Sequence, residues 1–349
     1  MPQPTQSDVH VNALLSNLSL MYTQEEDAFV AHRVFPMLPV EKQSDRWVVY
    51  SRGDFNRNLM KKRAAATMAA MAGYRVDNTP TYFADVWALG KPIDDQVRSN
   101  ADSVFNLEAD ATRFLNGINL INREQAWATT FFGAGIWTTD WTGVAGVPAT
   151  NQVLQWSDPN SQPIIDIRNM KRAIQLAGTY RPNKLVLGRP VFDTLCDHPD
   201  FIDRIKYGQT PGKPAKVTLD AMAGLFELEE VLVMDAIINT GVEGAGPDSG
   251  GVGVAGAPYN TAINAVETNA FIGNKGAMLC YTPPSAGIGV PGCGFTICWT
   301  GLFGMNAAGA RIKSYYKEEL EATIVEIESA YVHKLMSQDL GGFIASAIA

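Results

Sequence analysis

Cysteine is scarce in this 349-residue chain, which has only Cys196, Cys280, Cys293 and Cys298. Four thiols in so long a chain exclude the disulfide framework of a small secreted scaffold. Cys293 and Cys298 fall in the apolar run CGFTICW, which reads as a strand; their odd spacing places them on opposite faces. They read as buried free thiols. Histidine is equally sparse, with His10, His32, His198 and His333. None sits in a His-Glu-x-x-His pattern or at a metal-pair spacing. Cys196 and His198 are neighbours, but Asp197 and Pro199 beside them read as a turn, and zinc needs two further ligands nearby. There is no Gly-x-x-x-x-Gly-Lys phosphate loop and no Gly-x-Ser-x-Gly elbow. No apolar run of 18 residues free of charge occurs, so no transmembrane helix is expected. The opening MPQPTQSDVHVNALLSNLSLMY has neither the basic nor the apolar region of a secretion signal. The expectation is a soluble, cytoplasmically made protein without catalytic site, cofactor or metal.

What is present is enough apolar surface for a core. Hydrophobic residues make up 46% and charged residues 18%, too little charge for general disorder. The charge is unevenly spread. Residues 50–75, YSRGDFNRNLMKKRAAATMAAMAGYR, carry Arg52, Arg57, Lys61, Lys62, Arg63 and Arg75 against Asp54 alone, a net of +5. The whole chain stands at −8, so the remainder carries −13. So acidic a body does not suit a dedicated nucleic-acid binder. A small positive segment and a large negative body attract one another, within a molecule or between copies.

The order of elements can be read along the chain. Residues 1–35 form a polar, weakly amphipathic arm. DRWVVYS (45–51) and TPTYFADVWALGKP (79–92) are β-like and enclose the basic stretch, predicting a two-stranded arm with a long tip. So long an excursion is uncommon and usually functional. Val104, Leu107, Ala111, Phe114, Leu115, Ile118 and Ile121 follow helical spacing, with Ser99 and Asp102 as a capping pair. Some 30 residues would give a rod of about 45 Å. Asp158-Pro159-Asn160-Ser161 then opens a helix that Gly178 stops. KLVLG (184–188) and EVLVMD (230–235) are strands, and 190–196, 199–207 and 218–228 are helices, giving a small α/β region. Strands follow at 277–282, 294–299, 310–316, 321–335 and 342–348. The strand 321–335 is expected to be half exposed, with Glu326 and Glu328 on one face and Val325 and Ile327 on the other.

Two local patterns invite functional readings that their context does not support. Gly251-x-Gly253-x-x-Gly256 matches a dinucleotide fingerprint, but that fingerprint needs a strand before and a helix after. Here Pro247 precedes and Pro258 follows, so 241–257 reads as a flexible loop. Arg52-Gly53-Asp54 is an adhesion tripeptide by letter. Gly-Asp after a strand is ordinary turn chemistry, and no secretion signal accompanies it.

The order arm, two-stranded excursion, long helix, small α/β region and returning strands resembles the major capsid proteins of tailed bacteriophages, the HK97-like fold. SDPNSQPIIDIRNMKRAIQLAGTYRPNKLVLGRPVFDTLCDHPDFIDRIKY (157–207) and FELEEVLVMDAIINT (226–240) are similar to passages of that family. So are Trp299-Thr300-Gly301, Gly309-Ala310-Arg311-Ile312 and the tail from Ser337 to Phe343. The resemblance implies an α+β fold in four parts: an N-terminal arm (1–35), an extended β-hairpin loop (36–98), a peripheral domain with a spine helix (99–160 and 291–349) and an α/β axial domain (161–290). It implies a subunit that assembles with itself as hexamers and pentamers into an icosahedral shell around double-stranded DNA. Separate scaffolding, portal and decoration proteins would be partners, DNA would be touched weakly, and no membrane would be involved. The virion would be its location, after assembly in the host cytoplasm. Many relatives begin with a scaffolding segment that is cut away; here the arm starts almost at Met1. Some relatives join a loop lysine to a neighbour's asparagine, for which Lys61, Lys62 and Asn306 are the candidates. The expected contact between subunits pairs Arg52, Arg57, Lys61, Lys62, Arg63 and Arg75 with Glu318, Glu319 and Glu321. The alternatives are an encapsulin-like compartment of the same fold and an α/β enzyme built on the middle region.

Overall fold

A computed structural model describes residues 24–101, 106–208, 217–241, 268–287 and 289–349, with the side chains of 205–208 excepted. In chain order the elements are α1 (Ala31–Val34), β1 (Met37–Val40), β2 (Ser44–Arg46), β3 (Val49–Tyr50), α2 (Arg52–Phe55), β4 (Val76–Asp77), β5 (Thr81–Phe83), β6 (Asp85–Asp94), α3 (Asp95–Asn100) and α4 (Leu107–Phe131). Then come β7 (Thr139–Val144), β8 (Gln152–Leu154), α5 (Pro163–Gly178), β9 (Lys184–Gly188), α6 (Arg189–Cys196), α7 (Pro199–Gly208), α8 (Leu219–Phe226) and β10 (Glu230–Met234). The remainder is β11 (Ile237–Asn239), β12 (Asn269–Phe271), β13 (Ala277–Cys280), β14 (Gly294–Trp299), β15 (Ala310–Lys317), β16 (Ala322–Leu335) and β17 (Gly341–Ala345).

Two sheets organise the body. The first runs β10-β9-β13-β17-β7-β8. Its strands are apolar on both faces because both are covered. Leu185, Leu187, Val231, Leu279 and Ile344 point into a core with Ile164, Ile167, Met170 and Ile174 of α5 and with Leu195, Phe201 and Phe226. The alternate residues Val186, Leu232, Met278 and Phe343 point the other way, against Phe35, Trp127, Phe131 and Trp137. This is the period-2 consequence of strand geometry. The second sheet runs β1-β14-β16-β15, with β6 on the other side of β16.

Helix α4 ties the two together. Its first half sets Ala111 and Leu115 against Ile93, Val325 and Ile327 of the second sheet. Its second half sends Trp127, Ala128 and Phe131 into the core under the first. It is a 25-residue rod of about 37 Å, shorter than the expected 45 Å. Asn106 caps it, its side chain accepting the Ala109 N–H at 3.1 Å, and α3 is a separate turn before it. The expected Ser99–Asp102 capping pair is therefore replaced; Asp102 and Val104 lie outside the described residues, as do 1–23 of the arm and 242–257 of the Gly-rich loop. Asp158 likewise caps a turn at Asn160 (2.8 Å) rather than α5, which starts at Pro163.

Other departures concern placement. The sheet containing β9 and β10 takes in β7, β8 and β17, so it crosses the boundaries read from sequence at 160 and 291. Strand β16 is central rather than half exposed, with β6 along one side and β15 and β14 along the other. Three thiols are buried and free as expected, while Cys196 is half-buried.

Glu124 on α4 was not anticipated. It is 1% exposed, and its Oε2 accepts the Ala31 N–H at 2.8 Å. That bond fastens the segment carrying Val30, Val34 and Phe35 to the helix. Its Oε1 meets no partner among the described residues. Burial pushes the carboxyl up to about 7, against the pull of the Ala31 and Val30 amides. A raised carboxyl pKa means the folded state holds the proton better than the unfolded one. Its contribution is therefore full below the unfolded value of 4.5 and falls as pH rises toward 7. Burial lowers His333 to about 4, so its contribution falls as pH drops from 6.5 toward 4. The two slopes oppose one another over that window. Glu124→Gln is expected to expose the His333 slope alone and to stabilise the subunit above pH 7 by up to about 3 kcal/mol. Urea unfolding of subunits at pH 4.5, 6 and 8 checks it; equal gains at all three would contradict it.

Candidate subunit-contact surface

The extended loop is built as a ribbon. β2 pairs β5 with Asp45 opposite Tyr82, and β3 pairs β4 with Tyr50 opposite Val76. Tyr82 is the inward residue, its hydroxyl donating to the Lys42 carbonyl at 3.2 Å. At the neck, the rings of Tyr50, Phe55 and Tyr74 cluster with centroids 5.4–6.0 Å apart. Asp54 accepts from the Arg75 backbone N–H (3.0 Å) and from Arg75 Nε (3.1 Å). Those bonds hold its carboxyl down at about 2.

Arg52 pairs with Asp339 of the body at 2.5 Å, and Asn56 Nδ2 donates to Thr179 Oγ1 at 3.0 Å. The Arg-Gly-Asp tripeptide is thus used at both ends to close and dock the neck. Asp54→Ala is expected to leave global unfolding unchanged and to speed protease cleavage between residues 56 and 75. An unchanged cleavage rate would remove the clamp role.

Beyond the neck, residues 55–79 are exposed throughout. Met60, Met68 and Met71 are 80–92% exposed. Of the six cations, Arg52 and Arg75 serve the neck. Arg63 donates to the Thr67 carbonyl at 2.5 Å. Arg57, Lys61 and Lys62 form no ion pair among the described residues.

Glu318 and Glu319 form a 3-10 turn between β15 and β16, with Glu321 following it in the left-handed region at φ 45°. All three are exposed, and Glu319 is tied to Lys317 at 3.5 Å. Within one subunit the structure does not bring the tip cations to them. Asn306 has its side-chain oxygen engaged by the Ala310 N–H at 2.9 Å. Glu326 and Glu328, read as a solvated face, instead lie beside Lys313 and Arg311. Lys313 reaches Glu326 at 3.3 Å and Arg311 Nε donates to Glu328 at 2.6 Å. Burial pushes the Glu328 carboxyl up, but Lys313 and Arg311 more than offset it and hold it low. Glu124 was missed although a signal was present, an acid three and seven residues before Trp127 and Phe131 on the inward stripe. Among the described residues no cluster of His, Cys, Asp or Glu is placed to hold a metal, and no helix is long and apolar enough to cross a membrane.

No protein-family model matches the chain. It is 26% identical over 227 residues to the major capsid protein of Burkholderia phage BcepMu, covering 65% of this chain and 69% of that one. A phage-related protein from Bordetella bronchiseptica RB50 matches with a TM-score of 0.65 and 18% identity, over 93% of this chain and 94% of that one. The capsid of cyanophage P-SCSP1u matches with a TM-score of 0.60 and 7% identity, over 98% and 94%. An encapsulin from Synechococcus elongatus PCC 7942 matches with a TM-score of 0.54 and 10% identity, over 95% and 93%. The ribbon, spine helix and two sheets therefore have the fold of the phage capsid and encapsulin subunits they match, the HK97-like fold.

Proposed function

We propose that the chain assembles as hexamers and pentamers into the icosahedral shell that encloses a phage's double-stranded DNA. The observation that carries the reading is the tip at 55–79. The tip holds three methionines at 80–92% exposure and, among the described residues, three cations without an ion pair, together on one long arm. Such a surface is stable in use only when another subunit covers it. The working layout is an arm (1–35), a loop (36–98), a peripheral part (99–160, 291–349) and an axial part (161–290), the last two sharing the sheet of β7 to β10, β13 and β17. The tip would lie over the acidic body of a neighbour. The net −13 outside residues 50–75 would keep the wall from binding the packaged DNA tightly. Portal, scaffolding and decoration proteins would complete the particle in the host cytoplasm, and the subunit would have no catalytic role.

Negative-stain electron microscopy tests the reading, on the purified chain alone and with its neighbouring gene products. Closed shells or five- and sixfold capsomers are expected. A monodisperse monomer under both conditions would overturn it. An encapsulin-like compartment would give shells too, but with enzyme cargo and without portal and terminase genes alongside.

A further inference from the structure

The tip cations need an acidic counterpart, and the subunit offers two. One is the turn at Glu318, Glu319 and Glu321, which is exposed and partly neutralised by Lys317. The other is a groove of about 600 Å³ between residues 24–33, the start of α8 and β10. Strand β10 ends the order of its sheet, so one of its edges carries no strand among the described residues. Leu219, 41% exposed, gives the groove an apolar side, and acids line the rest together with Arg33, which pairs with Glu230. Two of those acids are already matched within the subunit, Glu230 by Lys184 at 3.0 Å and Asp235 by Arg189 at 3.2 Å. Glu25, Asp27, Asp220 and Glu229 also line it and pair with no cation among the described residues, Glu229 accepting from Asn183 Nδ2 at 2.8 Å.

We propose that the loop tip of a neighbouring subunit docks in this groove. Arg57, Lys61 and Lys62 then meet Glu25, Asp27 and Asp220, three of the four lining acids that have no cation among the described residues. The flanking methionines cover the apolar lining, their flexible thioethers fitting an irregular surface. The tip backbone from 56 to 74, which has no ladder partner among the described residues, runs beside the free edge of β10, the arrangement by which extended segments add to a sheet. The groove is favoured over the Glu318–Glu321 turn because concavity, apolar lining and an unpaired edge coincide there with the unpaired charge. The proposal rests on the shell reading.

A carbodiimide joins a lysine amine to a carboxylate as an amide, taking up the water released, and so records which acid each lysine touches. Shells assembled from an equal mixture of ¹⁵N-labelled and unlabelled chains would be treated and digested. Isotopically mixed links from Lys61 or Lys62 to Glu25, Asp27 or Asp220 are expected. Mixed links to Glu318, Glu319 or Glu321, or no mixed link from either lysine, would overturn the groove while leaving the shell intact. As a second arm, E25K/D27K/D220K and K61E/K62E should each lower shell yield at low salt by about tenfold or more, the ratio that about 1.4 kcal/mol produces. Combining them should restore it. A combination no better than either set would overturn the proposal. Failure of the unmodified chain and its neighbouring gene products to form shells would remove the shell reading itself and the docking with it.

Discussion

A Trp127→Ala subunit is expected to be less stable than the parent by about 3–5 kcal/mol, the usual cost of deleting a large buried aromatic. The residue is fully buried. Its ring lies 5.8 Å from Phe35 in an edge-on arrangement and 6.2 Å from Phe132. Those contacts join the N-terminal segment to the spine helix. The loss would therefore spread to the same segment that Glu124 holds through Ala31. The indole N–H has no acceptor among the described residues, so its removal returns part of the cost and places the result toward the lower end. Urea titration of unassembled subunits measures the shift in midpoint. A change below about 1 kcal/mol would mean that Phe35, Phe131 and Phe132 close over the space, and that the packing is looser than its burial indicates.

Reversing the charge at Lys61, Lys62 and Arg63 together is expected to abolish shell formation at low ionic strength and to let part of it return near 1 M salt. One exposed ion pair contributes only about 0–1 kcal/mol. A closed shell repeats the contact at every subunit, and three reversals turn attraction into repulsion at each one. The screening length falls from about 10 Å at 0.1 M to about 3 Å at 1 M, which relieves that repulsion. The parent should respond in the opposite sense, assembling somewhat less well as salt rises. Light scattering across a salt series, with microscopy of the products, distinguishes the two. Equal yields from parent and variant at every salt would show that the tip carries no charge-dependent contact.

Much of this architecture was legible because strands covered on both faces read as short apolar runs. KLVLG, EVLVM and GFTICW were placed correctly for that reason. The helix α4 was legible through its inward spacing, but its start was not. Ser99 and Asp102 have the right chemistry for a cap, yet Asn106 sits where the described helix begins. Strand pairing was the least legible feature. Nothing local in GGFIA says that it lies between β13 and β7, because partner choice depends on contacts some two hundred residues away. The position of β16 at the centre of its sheet was hidden likewise. Glu326 and Glu328 look solvated until Arg311 and Lys313 are seen on the adjacent strand. On the contact surface, composition singled out the basic loop as unusual. It could not show that Arg52 and Arg75 are committed to the neck, nor that Glu25, Asp27 and Asp220 line one groove.

The place of β17 has a consequence for synthesis. It pairs with β13 on one side and β7 on the other, in the middle of a sheet whose other strands lie between residues 139 and 280. Translation at roughly 5–20 residues per second separates the emergence of β9 from that of β17 by roughly 10–30 s. Through that interval the sheet is split into two parts, β10-β9-β13 and β7-β8, with no strand between them. The body of the subunit thus closes only after β17 has been made. A nascent chain can expose its loop early, but it cannot present a finished neighbouring surface for another loop to grip. Late closure of one short strand would keep growing chains from joining one another on the ribosome.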